Sequence, residues 1–282
     1  MNASRVLPNR LVGIRSGLLC LCAVSALAQA IFSEPGSITA TRPLAEAATT
    51  LQRKYGIRIN YEDPVYAFDG DLIDGADPKY RIAHPGVRAL IPRGGSVSWA
   101  ATFQKGSANR LSNPLGLLLE LTSSHATNGN PGTFLVREQQ GIYFIVPAQV
   151  RGADGKLIAQ SSPLDLLITL QEKERSGLDT VRDILQAVSK GAGMNVGMGT
   201  LPMNLLFQTT GTIGALNEPA RSVLIRALEG LHWNGQNPST VPMRKIDWQM
   251  FYDANSRDYT FNAHIVTVET QSPAGGVILR PL

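Results

Sequence analysis

The stretch at residues 178–200, LDTVRDILQAVSKGAGMNVGMGT, reads as an amphipathic helix, a glycine stop and a short strand. Leu178, Val181, Leu185 and Val188 lie at helical spacing, and Gly193 separates them from the extended run that follows. An earlier stretch repeats the pattern. Residues 43–61, PLAEAATTLQRKYGIRINY, carry Leu44, Ala48, Leu51 and Tyr55 at helical spacing, with Gly56 before the alternating Ile57, Ile59 and Tyr61. Two occurrences of one helix, glycine and strand unit predict a chain of two related halves.

Working outward from the earlier copy, residues 38–41 form a short strand, with Thr41 as N-cap of the helix and Pro43 in its first turn, where a missing N–H costs nothing. Asp63-Pro64 stops the strand that follows. Residues 68–95 are dense in Asp, Gly and Pro and are expected to be an inserted surface loop. Residues 96–103 resume as a strand, and Asn113-Pro114 opens a second helix whose apolar face is Leu115, Leu118, Leu119 and Leu121. Strands at 133–137 and 142–146 then form a hairpin. The first half spans 31–150, and the mixed, polar residues 151–163 make a linker with a boundary near Ser161.

The second half, 164–271, repeats this order, and residues 272–282 form a C-terminal tail. Its strands are expected at 164–170, 195–199, 205–216, 247–253 and 259–268. Asn217-Glu218-Pro219 mirrors Asn113-Pro114 as a helix start, ahead of Val223, Leu224, Ala227, Leu228 and Leu231. Each half therefore has too few helices to cover both faces of a sheet. The fold class is α+β, with each half a small mixed or antiparallel sheet carrying two helices on one face. Leu44, Leu51, Leu118, Leu178, Val181, Leu185, Val188, Leu224 and Leu228 are expected to be buried under these sheets.

The order of elements carried by residues 43–61 with 113–147, and by 178–200 with 217–268, resembles the secretin and TonB N-terminal short domain. The resemblance covers more than half of the expected mature chain as a pattern of elements, without an invariant motif. It implies a periplasmic docking module that contacts envelope protein partners and has no catalytic residues to carry over. The chain departs from that family in having no channel or barrel domain after the second half, and in the region 68–95.

Arg5, Arg10 and Arg15 precede an apolar run at 17–27, and Ala28-Gln29-Ala30 supplies small residues for cleavage. Residues 1–30 thus read as a secretory signal peptide, because the run is shorter than the roughly 20 residues a spanning helix needs. The expected protein is periplasmic or otherwise extracytoplasmic, with no transmembrane segment after cleavage. Those thirty residues hold three of the 26 Lys and Arg and none of the 22 Asp and Glu, so the remainder has a net charge of +1. The pI of 9.2 belongs to the full sequence, and no basic run remains for phosphate contacts, which argues against nucleic acid. Cys20 and Cys22 also lie in the apolar run, which leaves the mature chain without a disulfide or thiolate site.

No constellation of catalytic, cofactor-binding or metal-ligating residues emerges. His84, His125, His232 and His264 lie far apart, and none has a second ligand at metal-binding spacing. His125 and His232 fall at the ends of helices, where a cation complements the helix dipole. Residues 191–200, GAGMNVGMGT, follow a helix and enter a strand, the reverse of a phosphate cradle. Asp69, Asp71, Asp74 and Asp77 depart from the calcium-loop pattern at Ile73 and read as a solvated acidic surface. Trp99, Trp233 and Trp248, with Phe251, Tyr252 and Tyr259, read as core and sheet-face residues in preference to a sugar platform. The leading expectation is a non-catalytic envelope docking protein, and residues 277–279 are apolar enough to pair with a partner's sheet edge or to cap their own half. The alternative is an envelope ligand-binding protein or enzyme with a site between the halves, assembled from His84, Arg88 and Arg93.

Overall fold

The computed structural model describes residues 31–104, 111–234, 242–273 and 275–282, so the signal-peptide reading of 1–30 falls outside the described residues. In chain order the first half is β1 (Ile31–Ala40), α1 (Pro43–Tyr55), β2 (Arg58–Glu62), β3 (Leu72–Asp74), α2 (Pro78–Ala83), β4 (Leu90–Pro92), β5 (Gly95–Gln104), α3 (Pro114–Thr127), β6 (Thr133–Gln139) and β7 (Ile142–Arg151). After β8 (Leu157–Ala159) come β9 (Leu167–Ser176), α4 (Gly177–Ala192), β10 (Val196–Met198), α5 (Met203–Phe207), β11 (Thr209–Pro219) and α6 (Ala220–Glu229). The last elements are β12 (His232–Trp233), β13 (Ile246–Asp253), β14 (Asp258–Ile265), β15 (Thr267–Gln271) and β16 (Val277–Pro281). The fold is α+β.

Strand pairing follows one scheme twice. In the first half β1 pairs antiparallel with β5, while β2 runs parallel to β7 and β7 antiparallel to β6. In the second half β9 pairs antiparallel with β11, while β10 runs parallel to β14 and β14 antiparallel to β13. The halves then merge, because β13 pairs parallel with β2 and makes one sheet in the order β10-β14-β13-β2-β7-β6. β2 is consequently a central strand, and its burial on both faces replaces the half-buried strand that its alternating pattern suggests.

Alternation along these strands puts the helices of the two halves on opposite faces. Ile59, Tyr61 and Ile145 join Leu44, Leu51, Leu118 and Leu121 in one core. Phe144 and Val146, one residue away on β7, join the other core with Trp248, Met250, Phe261 and the apolar faces of α4 and α6. All nine aliphatic positions expected under the sheets are buried. On α3 the buried face is Leu117, Leu118, Leu121, Thr122 and His125, whereas Leu115 and Leu119 are exposed.

Local chemistry explains most helix ends. α1 and α4 both stop at a glycine in the left-handed region, Gly56 at φ 68° and Gly193 at φ 65°, where a Cβ would be strained. The Asn113 side chain accepts from Gly116 N at 2.9 Å and caps α3, and Ser176 Oγ accepts from Asp179 N at 3.0 Å and caps α4. Thr41 makes no such cap, since the N-cap position of α1 is Arg42. The expected mirror of Asn113 at Asn217 also fails. β11 continues through Pro219, with Asn217 at φ 54°, and α6 begins at Ala220. The start of the expected strand at 205 is instead the short helix α5.

Segments read as loop and linker are tied down. Residues 68–95 contain the β3 and β4 hairpin and α2, and Asp71 is fully buried against Arg151. Asp71 thus departs from the expected solvated acidic surface, whereas Asp69 and Asp77 are exposed and Asp74 is half-buried; Asp74 accepts from Ala76 N and Ala89 N, and Asp77 caps α2. Within the expected linker, β8 pairs with β7 and Ser162 is buried. Among the described residues no helix is long and apolar enough to cross a membrane.

Candidate functional site

The join between the halves is a seam of buried charge. Glu62, Asp63 and Asp247 are all completely buried, and each pairs with arginine. Arg221 of α6 grips both oxygens of Glu62 at 3.0 and 2.7 Å and also reaches Asp165, which Arg137 contacts at 2.7 Å. Arg42 meets Asp63 at 2.6 Å and crosses to the Tyr252 carbonyl at 2.9 Å. Arg58 bonds Asp247 at 2.6 and 2.9 Å and also pairs with Glu229.

Burial pushes the Asp63 carboxyl up from its ordinary range, against the Arg42 charge, the Tyr61 hydroxyl and the Tyr252 backbone N–H, and it pushes Asp247 up against Arg58. At Asp165 the balance goes the other way: Arg221 and Arg137 outweigh burial and hold it low. These acids are consumed by structural partners. Sequence reading missed them because Asp63-Pro64 looks like a strand stop; the signal was a run of polar residues at Arg58, Asn60, Glu62 and Asp63 beside apolar alternation.

Beside the seam lies an open groove of about 360 Å³ between the halves. Thr49, Gln52 and Arg53 of α1 form one wall, and Gln249, Asn262 and His264 of β13 and β14 form the floor, with Thr200 and Thr267 at its margins. Buried Asp247 accepts from Gln52 Nε2 at 2.6 Å, which turns Gln52 Oε1 toward His264 Nε2 at 2.8 Å. A carboxylate only accepts, so this relay assigns the proton to His264 Nε2 and leaves Nδ1 as an acceptor in the neutral ring. Burial lowers the His264 pKa, and the nearby Arg53 charge lowers it further. Gln249 Nε2 donates to Thr49 Oγ1 at 2.9 Å and to the Ala45 carbonyl at 3.1 Å, which holds its amide in place.

The other histidines do not join this site. His125 is buried under α3 with its ring edge-on to Phe134 at 5.1 Å, and burial lowers its pKa to about 4. It is therefore neutral at pH 7, and the expected dipole-complementing cation is corrected by desolvation. His232 is exposed in β12, beyond the end of α6. His84, Arg88 and Arg93 are exposed. Their segment meets the second half where Leu90 N donates to Asn255 Oδ1 and Asn255 Nδ2 donates back to the Leu90 carbonyl, away from the groove. Trp99 and Trp248 are buried and Trp233 is half-buried, with Trp248 packed between Phe144 and Phe261. Among the described residues no group of His, Cys, Asp and Glu has a metal-holding arrangement.

A second exposed feature is the ribbon of β15 and β16. Every residue of β16 is exposed, including Val277 at 61%, Ile278 at 37% and Leu279 at 52%. Ser272 N donates to the Gly276 carbonyl and Leu282 N to the Val266 carbonyl, so the bonds to β15 fall on even-numbered residues of β16. The N–H and C=O groups of Val277 and Leu279 consequently face the unpaired edge.

Comparison with protein-family models, with curated proteins and with solved structures finds no match for this chain.

Proposed function

We propose that the chain is an exported, non-catalytic docking protein of the cell envelope, and that it binds a protein partner by strand addition to β16. The observation that carries this reading is the exposed apolar strand whose Val277 and Leu279 backbone groups face outward. An edge of this kind offers backbone affinity and side-chain selectivity together. Support comes from the signal-peptide pattern, from the resemblance of the repeated unit to a periplasmic docking module, and from the pairing of the buried acids with arginine. The partner is an envelope protein presenting its own strand edge, and the mature chain starts near Ile31.

The test is site-specific photo-crosslinking from position 278 in intact cells, combined with Leu279→Pro and Leu279→Ala. Proline removes an outward N–H and leaves the bonds to β15 in place, so it should abolish a defined adduct that alanine only weakens. An adduct indifferent to proline, or no adduct with a mature exported protein, overturns strand addition.

A further inference from the structure

The outer face of the last strand differs between the halves. On β7 that face is Ile142, Phe144 and Val146, apolar and buried under the second half. On β14 the corresponding face is Thr260, Asn262 and His264, all polar, of which Asn262 and His264 line the groove beside α1. A polar outer face is ordinary for a sheet that meets water. This one carries more, because Asp247 and Gln52 fix the tautomer of His264, and because the wall presents a cation without an acid to match it. Among the described residues Arg53 makes no ion pair, whereas the adjacent Lys54 pairs with Glu34. Among the described residues no carboxylate lines the groove.

We infer that this groove is a binding site for a small hydroxylated carboxylate, of the sugar-acid class. Arg53 takes the carboxylate, whose planar geometry suits a guanidinium. His264 Nδ1 and the Gln249 carbonyl oxygen accept from ligand hydroxyls, and the Thr200 and Thr267 hydroxyls donate or accept at the margins. The volume of about 360 Å³ lies within the range of small-molecule sites. The site is separate from β16, so it stands or falls independently of strand addition.

The experiment titrates the purified mature protein with glucuronate, with glucose as the form lacking a carboxylate, and with acetate as the form lacking hydroxyls. Two-dimensional NMR follows the His264 ring and the side-chain amides of Gln52, Gln249 and Asn262. Glucuronate should shift these signals saturably, and glucose and acetate should each bind at least about tenfold more weakly, the scale of one hydrogen bond to a charged group. Arg53→Gln should bring glucuronate down to the affinity of glucose, and Arg53→Lys should restore part of the loss. Arg53 is exposed, so unchanged thermal unfolding of both variants serves as the folding control. Absence of saturable shifts with glucuronate overturns the site. Equal affinity for glucuronate and glucose, or indifference to Arg53→Gln, overturns the carboxylate assignment.

Discussion

β2 and β10 hold the same place in the two halves, yet one edge continues the sheet and the other ends it. Both follow a helix stopped by a left-handed glycine, and both run parallel to the last strand of their half. At β2 the outer edge receives β13: Asp63 N donates to the Met250 carbonyl at 2.8 Å, and Trp248 N donates to Asn60 Oδ1 at 2.6 Å. At β10, Thr200 lies as far beyond its glycine as Asp63 does, but its N–H is taken by Asn262 Oδ1 at 2.9 Å. Val196 N is likewise taken by Ser189 Oγ at 2.9 Å. Gly199 and Thr200 stand where β2 has Glu62 and Asp63, so the charges that bind the other half are missing. An edge is open to a neighbour when its donors are free and its side chains have partners across the gap, and it is closed when its own half satisfies them.

Removing one seam cation should have the largest effect on the joined edge. Arg221→Met leaves Glu62 buried without its arginine and should cost about 3–5 kcal/mol in urea unfolding. A loss under about 1 kcal/mol would mean that burial of the second half on β7 holds the seam without the ion pair.

Core packing tests whether the halves behave as one unit. Leu185→Ala, under α4, should cost about 2–5 kcal/mol, and Leu118→Ala, under α3, should fall in the same range. Because the sheet is shared, each variant should shift a single unfolding transition seen by both tryptophan fluorescence and circular dichroism. Two separated transitions would show that the seam does not couple them.

His125 makes the stability of the first half's core depend on pH. Its folded pKa of about 4 lies below the ordinary value of 6.5, so the unfolded chain binds the extra proton first. The stability tied to the neutral ring is complete above pH 6.5 and is lost as pH falls through 4, reaching about 3 kcal/mol at lower pH. The difference in unfolding free energy between the native chain and His125→Phe should change in that window and in that direction. A flat difference across it would place water or an acceptor at the buried ring.

The smallest expected effect is at the closed edge. Ser189→Ala frees Val196 N and should cost about 1 kcal/mol, with faster hydrogen exchange at Val196 and little change at Ile59. An unchanged exchange rate would show that Ser189 is not what closes β10.

The repeated unit, the α+β class and the aliphatic faces of α1 and α4 were legible in the sequence because spacing, caps and glycine stops act within a few residues. The groove was not. His264 was visible as an isolated histidine, but its partner Gln52 lies on a helix of the other half, and nothing local links them. Likewise α3 shows a leucine-rich run, yet which leucines face inward depends on the sheet below, and Leu115 and Leu119 turn out to be exposed.

The pair of similar halves follows from the chain's own order of residues, since periodicity and turn chemistry are local properties. That the halves share one sheet, that Glu62, Asp63 and Asp247 are buried, and that Arg53 and His264 meet across a groove comes from long-range packing. Burial and pairing depend on which surfaces meet: Glu62, one residue before the strand stop, becomes the centre of an interface once Arg221 from the other half closes over it, and Asp63 is enclosed by its neighbour Arg42 and by Tyr252 N from the other half.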